Sequence, residues 1–301
     1  MDRELLAHFP VVLTVARRGG FAAAAAELGM SPSAVSHAVK TVEDRLGTPL
    51  FARTTRSVAL SEQGAAFVAS AAPALIEIAE AVERIRSSKG RVAGVLRINA
   101  PRVALAMVLT PVIAEMARRH PDVTVEVTAD DGLADIVAGG FDAGIRLGEM
   151  IAADMVAVRI TPPFKAIMIA SPDYLARAGE PKSIADLKTH NCIGFRLVSA
   201  GGVYAWELRD GNADVAVEVH GTVRVTDPLY AKNLALAGVG IAYLFEPLVR
   251  NELRGKSLRQ VLPKTAIEEP GLFLYFPKRA TEAPKLRAFI DVARTLAKKR
   301  I

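Results

Sequence analysis

The sequence predicts a three-part chain: a small all-α module closed by a short hairpin, one long linking helix, and a C-terminal α/β domain. Three observations carry that prediction. Apolar residues recur at helical spacing through the N-terminal region, with glycine and proline stops between the runs. A heptad-like seam then extends from Val68 to Ile85. Beyond it, strand-like and helix-like segments alternate to the last residues. At 301 residues the chain is longer than one ordinary core needs.

The first helix places Leu5, Phe9, Val12, Leu13 and Ala16 on one face, and Arg17-Arg18-Gly19-Gly20 stops it. An alanine-rich helix, Phe21 to Leu28, follows, and Gly29 makes a tight turn. Ser31 is suited to cap the next helix, with Pro32 at its first position. There Val35, Ala38 or Val39, Val42 and Leu46 form a stripe to bury. Ser33, Ser36, His37 and Lys40 share the opposite face, which carries no acid before Glu43 and Asp44.

That second face suits a helix entering a DNA major groove, because short polar groups can approach base edges. For an isolated helix a plain solvated stripe is the better reading, so context decides. Two short helices joined by the turn GMSP have helix-turn-helix spacing. After Gly47, alternating Val58 and Leu60 suggest a hairpin wing bearing Arg53, Thr54, Thr55 and Arg56, a set suited to phosphates.

The run SPSAVSHAVKTVEDRLGTPLFARTTRSVALSEQG closely resembles the winged helix-turn-helix signature of LysR-type transcriptional regulators. The resemblance implies that Pro32, Ser33, Ser36 and His37 face bases, while Lys40, Arg53, Thr54 and Arg56 contact the backbone. It implies double-stranded DNA with promoter half-sites as the partner. Position 37 varies within that family, and His37 cannot grip guanine bidentately as an arginine would, so no target sequence follows.

From Gln63 to Ser88 the chain reads as one helix with a seam of Val68, Ala71, Leu75, Ile78, Val82 and Ile85. Such a seam pairs with a partner helix or packs on its own domain. Pro73 lies off the seam and bends the helix, and SSKGRVAG reads as a hinge. In the family this helix makes the dimer, and tetramers form from pairs of dimers. Pairing also supplies specificity that one winged module lacks. The expected domains are therefore 1–61, the DNA-binding module; 62–90, the linker helix and hinge; and 91–301, the effector domain.

In that last domain the strands expected are Val95 to Ala100, Val123 to Thr128, Phe141 to Arg146, Val156 to Ile160, Lys165 to Ala170, Cys192 to Phe195, Ile241 to Phe245 and Gly271 to Pro277. Helices are expected over Val103 to Arg119, around Leu133 to Ala138, from Pro228, and over Ala283 to Lys298. GFDAGIRLGE and ALAGVGIAYLFEPLV are similar to family segments in matching places. The resemblance implies two α/β lobes of the periplasmic-binding-protein type. Lobe I would hold about 91–162 and 267–301, and lobe II about 163–266. The crossovers fall near Thr161-Pro162-Pro163 and Ala266-Ile267.

Ligands of open α/β sheets sit beyond the carboxyl ends of the strands. That rule selects Pro101, Arg102, Asp130, Asp131, Arg146, Leu147 and Gly148 in lobe I, and Phe195, Arg196, Thr226 and Asp227 in lobe II. Each has a plainer role available: Asp227 before Pro228 reads as a helix cap, as does Asp130, and Arg102 and Arg146 could sit in salt bridges. A cleft arginine can also clamp a carboxylate, which favours an anionic small-molecule effector.

Other function classes find little support. The net charge is +6, but residues 1–90 hold ten Lys or Arg against nine Asp or Glu, leaving +5 for 91–301. Charge alone therefore does not locate a DNA site. Cys192 is the only cysteine, so no intrachain disulfide or multi-cysteine zinc site is expected, and no cofactor or metal. There is no glycine-rich phosphate loop, GxSxG elbow or HExxH helix, so no enzyme is expected. The N-terminal MDRELLAHFP carries acids and Pro10, unlike a secretory signal. The strongest apolar window, Asn233 to Phe245, is too short for a bilayer. A cytoplasmic location with no membrane contact is the expectation. A solute-binding protein, or a regulator with an unused cleft, are the remaining readings.

Overall fold

The computed structural model describes residues 3–53, 58–87, 92–132, 136–137, 139–148, 151, 155–197 and 201–298. Its first three helices are α1 (Arg3–Arg18), α2 (Phe21–Leu28) and α3 (Pro32–Leu46), followed by a hairpin of β1 (Phe51–Arg53) and β2 (Val58–Leu60). They enclose a core of Val11, Val12, Val15, Ala24, Ala25, Val35, Ala38, Val39, Val42, Leu50 and Phe51. α1 continues through Pro10, and Val11, Val12 and Val15 beyond it are buried in that core. Leu46 departs from the expected stripe: it is 40 % exposed, and the buried face passes instead to Leu50 and Phe51. Gly47 ends α3 in the left-handed region, at φ 68°, and so turns the chain before Leu46 can reach the core.

α4 (Glu62–Ser87) is the long linker helix and carries Pro73 within it. Its start packs hard on the wing: a Cβ on Gly64 would lie 1.9 Å from the Leu50 carbonyl oxygen. Phe67 meets Phe9 edge-on at 4.9 Å between centroids.

The C-terminal region contains two larger sheets. The first has β3 (Gly94–Ala100), β4 (Val123–Ala129), β5 (Ala143–Leu147), β6 (Met155–Arg159) and, from the end of the chain, β15 (Leu272–Pro277), in the order β4-β3-β5-β15-β6. β3 is parallel to β4 and β5, whereas β15 runs antiparallel to β5 and β6. The second sheet has β7 (Phe164–Ala170), β8 (Cys192–Phe195), β11 (Arg224–Val225), β12 (Ile241–Phe245) and β13 (Arg259–Val261), in the order β11-β8-β12-β7-β13. β9 (Trp206–Asp210) and β10 (Ala213–Val217) form a separate hairpin that the sequence pattern did not single out.

Between β3 and β4 the chain is helical from 102 to 119: α5 (Arg102–Ala104), a π-helical turn (Leu105–Leu109) and α6 (Thr110–Arg119). The helix expected around Leu133 to Ala138 falls mostly outside the described residues. Lobe II adds α7 (Pro172–Ala178), α8 (Pro228–Leu236) and α9 (Arg250–Arg254), and α10 (Pro284–Lys298) packs against α6 on lobe I.

The two lobes share one apolar interior. Leu96, Ile98, Val108 and Phe289 of lobe I and Ile167, Ile169, Ala242 and Leu244 of lobe II belong to a single buried cluster. The chain crosses out through Ile160 to Pro163, as expected. The return differs: β14 (Ile267–Glu269) pairs with β7 in lobe II, so the crossing runs through Pro270 and Gly271, not Ala266-Ile267. Its pairing register with Phe164 to Ala166 holds those three residues on the second sheet.

The two crossings lie against each other. The Leu272 amide donates to the Thr161 hydroxyl at 2.8 Å, and the Ile160 amide donates to the Leu272 carbonyl at 2.9 Å. A Cβ on Gly271 would lie 2.8 Å from the Thr161 carbonyl oxygen, and Gly271 has φ 99°. Both constraints select glycine. Gly271→Ala is expected to lower the stability of the C-terminal domain by roughly 2–4 kcal/mol, from backbone strain and overpacking together. Urea unfolding checks this as a lower midpoint for that domain.

Candidate DNA-binding face and effector cleft

The α3 face is set by local chemistry at both ends. The Ser31 hydroxyl accepts from the Ala34 amide at 3.1 Å, with Pro32 in the first turn. Pro32, Ser33, His37 and Lys40 are exposed on the outer face, and Ser36 is half-buried beside them. At the far end Glu43 turns inward. Its Oε1 accepts the Leu50 and Phe51 amides at 2.8 and 3.2 Å, which pins the start of the wing to α3. This acid, which the sequence marked only as the edge of the polar face, therefore positions the wing.

Arg53 pairs through its backbone with Val58 in the hairpin. Thr54 and Arg56 lie outside the described residues. Arg17 and Arg18 both pair with Glu27 and so bind α1 to α2. Burial pushes the Glu27 carboxyl up, but the two guanidiniums outweigh it and hold it below the usual carboxylate range.

On α4 the expected seam divides. Val68 is buried within the protomer, Ala71 and Leu75 are half-buried, and Ile78 and Val82 stand 60 % and 43 % exposed. The side chain of Ile85 lies outside the described residues.

The lobe I candidates form one connected set. Pro101 is half-buried at the end of β3. The Arg102 amide donates to Asp131 Oδ1 at 2.9 Å, and its guanidinium pairs with the same carboxylate. Arg102 is thus committed to Asp131, in keeping with its plainer role. Asp130 caps no described helix: it accepts the Gly132 amide at 2.9 Å and forms a local turn, while its own amide donates to Ala100. Leu147 and Gly148 are half-buried at the end of β5, and a Cβ on Gly148 would press on the Phe273 ring at 2.9 Å.

Arg146 is the unusual member, at 2 % exposure. Its guanidinium donates to the Ile145 carbonyl and to Asn99 Oδ1, both at 2.6 Å, and to the Gly132 carbonyl. Its Nε is buried without a hydrogen-bond partner. Among the described residues no carboxylate pairs with it. A buried cation held only by neutral oxygens is costly, so such a group calls for an explanation. Asn99, buried at 1 %, was not foreseen, because a polar residue inside a strand gives no sign of which face it serves.

In lobe II, Phe195 is half-buried and Arg196 exposed. The Arg196 amide donates to Val225 at 2.7 Å and its guanidinium to Gly201 at 3.3 Å. Thr226 is exposed, and Asp227 caps α8 by accepting the Tyr230 amide at 2.8 Å. α5 packs against α8, so the Arg102 turn touches the helix that Asp227 caps, at the boundary between the lobes.

Cys192 is buried, and burial pushes its thiol up to about 12. A thiol so raised is inert as a nucleophile. Among the described residues no group of three His, Cys, Asp or Glu could hold a metal ion. No described helix is long and apolar enough to cross a membrane.

A winged helix-turn-helix, a linker helix with an exposed apolar stripe and a two-lobed α/β domain together define a DNA-binding regulator with a ligand-sensing domain. The comparisons narrow that class. Residues 6–65 match the family of bacterial regulatory helix-turn-helix proteins, lysR family, and residues 89–298 match the LysR substrate binding domain. The chain belongs to the LysR family of transcriptional regulators, and not to an enzyme family. It is 38 % identical to the uncharacterized HTH-type transcriptional regulator YcaN of Escherichia coli, over 97 % of this chain and 96 % of that one. The structure of CrgA, a LysR-type regulator from Neisseria meningitidis, matches with 28 % identity and a TM-score of 0.61, covering 96 % of this chain and 98 % of that one. The full-length structure of AphB, a virulence activator from Vibrio cholerae, has the same fold, with a TM-score of 0.61 at 21 % identity, covering 99 % and 100 %.

Proposed function

We propose that this regulator binds paired half-sites through α3 and the wing, and that a small anionic effector in the interlobe cleft controls that binding. Base contacts fall to Pro32, Ser33, Ser36 and His37. Phosphate contacts fall to Lys40, Arg53, Thr54 and Arg56. The exposed Ile78 and Val82 supply the apolar stripe on which α4 pairs with a second copy, and such dimers join into tetramers.

The observation that carries the effector reading is Arg146: a buried guanidinium with one unpartnered donor and, among the described residues, no acid bonded to it. An arriving carboxylate replaces the Gly132 carbonyl as its acceptor. A carboxylate brings a full opposite charge and a bidentate match to the guanidinium, neither of which the neutral carbonyl offers. The exchange therefore favours a state in which the 130–132 turn has moved, and Asp131 carries that movement to Arg102 and α5. A ligand shifts an equilibrium only through such a difference in affinity between states. Pro101, Asp130, Leu147, Gly148, Phe195, Arg196, Thr226 and Asp227 complete the cleft lips in this reading.

Two sets of variants test it. Lys40→Ala is expected to weaken binding to all DNA alike and to reduce the salt slope by about 1. His37→Ala is expected to change the preferred sequence in a binding-site selection; an unaltered preference removes His37 from the reading face. On the effector side, a thermal-shift panel of carboxylates, amines and neutral sugars is expected to show stabilisation by carboxylates alone. For carboxylates other than short aliphatic acids, Arg146→Gln should abolish the response and Arg146→Lys retain part of it. Stabilisation by amines or sugars, with none by carboxylates, contradicts the anionic reading.

A further inference from the structure

A partly open cavity lies at the hinge, away from the residues placed in the cleft. It is a cavity of about 90 Å³, and Met107, Pro111, Pro163, Pro247, Leu296 and Ala297 are among the residues that line it. The lining comes from both lobes: the π-helical turn and α6, the outgoing crossover, the turn before α9, and the last turns of α10. Most of it is apolar carbon. The polar side chains of the lining are Thr161 and Arg250; Arg250 is exposed and, among the described residues, its ion pair is with Glu246, one helical turn away, at 3.1 Å. An exposed pair of that kind contributes little and is readily exchanged.

We propose that this hinge cavity is a binding site for a short aliphatic carboxylate, its chain inside the cavity and its carboxylate on Arg250. Size sets the chain length. Apolar cavities of about 150 Å³ take benzene, so one of 90 Å³ holds a chain of roughly three or four carbons. Charge sets the head group, since a guanidinium fork matches a carboxylate bidentately. Pockets at domain boundaries with mainly apolar walls and few polar groups are the usual form of small-ligand sites. The π-helical turn adds a local sign, because such turns recur at functional positions. A ligand seated there touches both lobes and the crossover, so it favours one arrangement of the hinge over others.

Pentanoate is the probe, titrated into the full chain by calorimetry and followed by thermal shift. Binding is expected in the unmodified protein and equally in Arg146→Gln, which separates this site from the cleft. Ala297→Leu fills the cavity and should abolish binding. Arg250→Gln, a surface change that leaves the fold intact, should weaken it by about tenfold, the loss of one charge-assisted contact. Pentylammonium should not bind. Absence of pentanoate binding to the unmodified protein, equal binding by Ala297→Leu, or equal binding of pentylammonium each overturns the proposal.

Discussion

The paired crossovers are the constraint on which the C-terminal domain depends. β15 lies between β5 and β6, so lobe I is incomplete until the chain has built lobe II and returned. The two crossing segments touch at Thr161 and Gly271, closely enough that only glycine fits the return. Two lobes joined in this way cannot swing apart freely. Their shared apolar cluster raises the cost further, because opening would expose Val108, Ile167 and Leu244 to water. Ligand control in this protein is therefore a matter of small shifts in packed elements.

The candidate cleft follows the same constraint. The 130–132 turn, Asn99, Arg102 and Arg146 are bound to one another, so displacing one member changes the others. The DNA-binding module is built on the same logic at smaller scale. Glu43 holds the wing to α3, and Gly64 lets α4 approach Leu50 without a side chain between them. Orientation of the linker helix is thereby tied to orientation of the wing, which is what a dimer needs if its two reading helices are to match two half-sites.

Where local chemistry decides, the fold was legible in the sequence. Ser31, Pro32, Gly29 and Gly47 bound α2 and α3 where capping rules put them, and Cys192–Phe195 and Ile241–Phe245 stand as expected. Where tertiary pairing decides, it was not. The β9–β10 hairpin, the π-helical turn and the membership of β14 in lobe II depend on partners distant in sequence. The candidate site divides in the same way. The exposed face of α3 follows from helical period alone. Strand-end positions named the candidate cleft residues, but periodicity could not tell that Arg102 is consumed by Asp131, nor that Arg146 is buried with no acid bonded to it among the described residues.

The most direct measurement is selection of fragments from the protein's own genomic DNA by the full-length chain, with and without a library of small carboxylates. The account predicts recovery of a few sites with inverted half-sites, and a change in that recovery with a particular carboxylate. Recovery of no preferred fragment under any condition would contradict it.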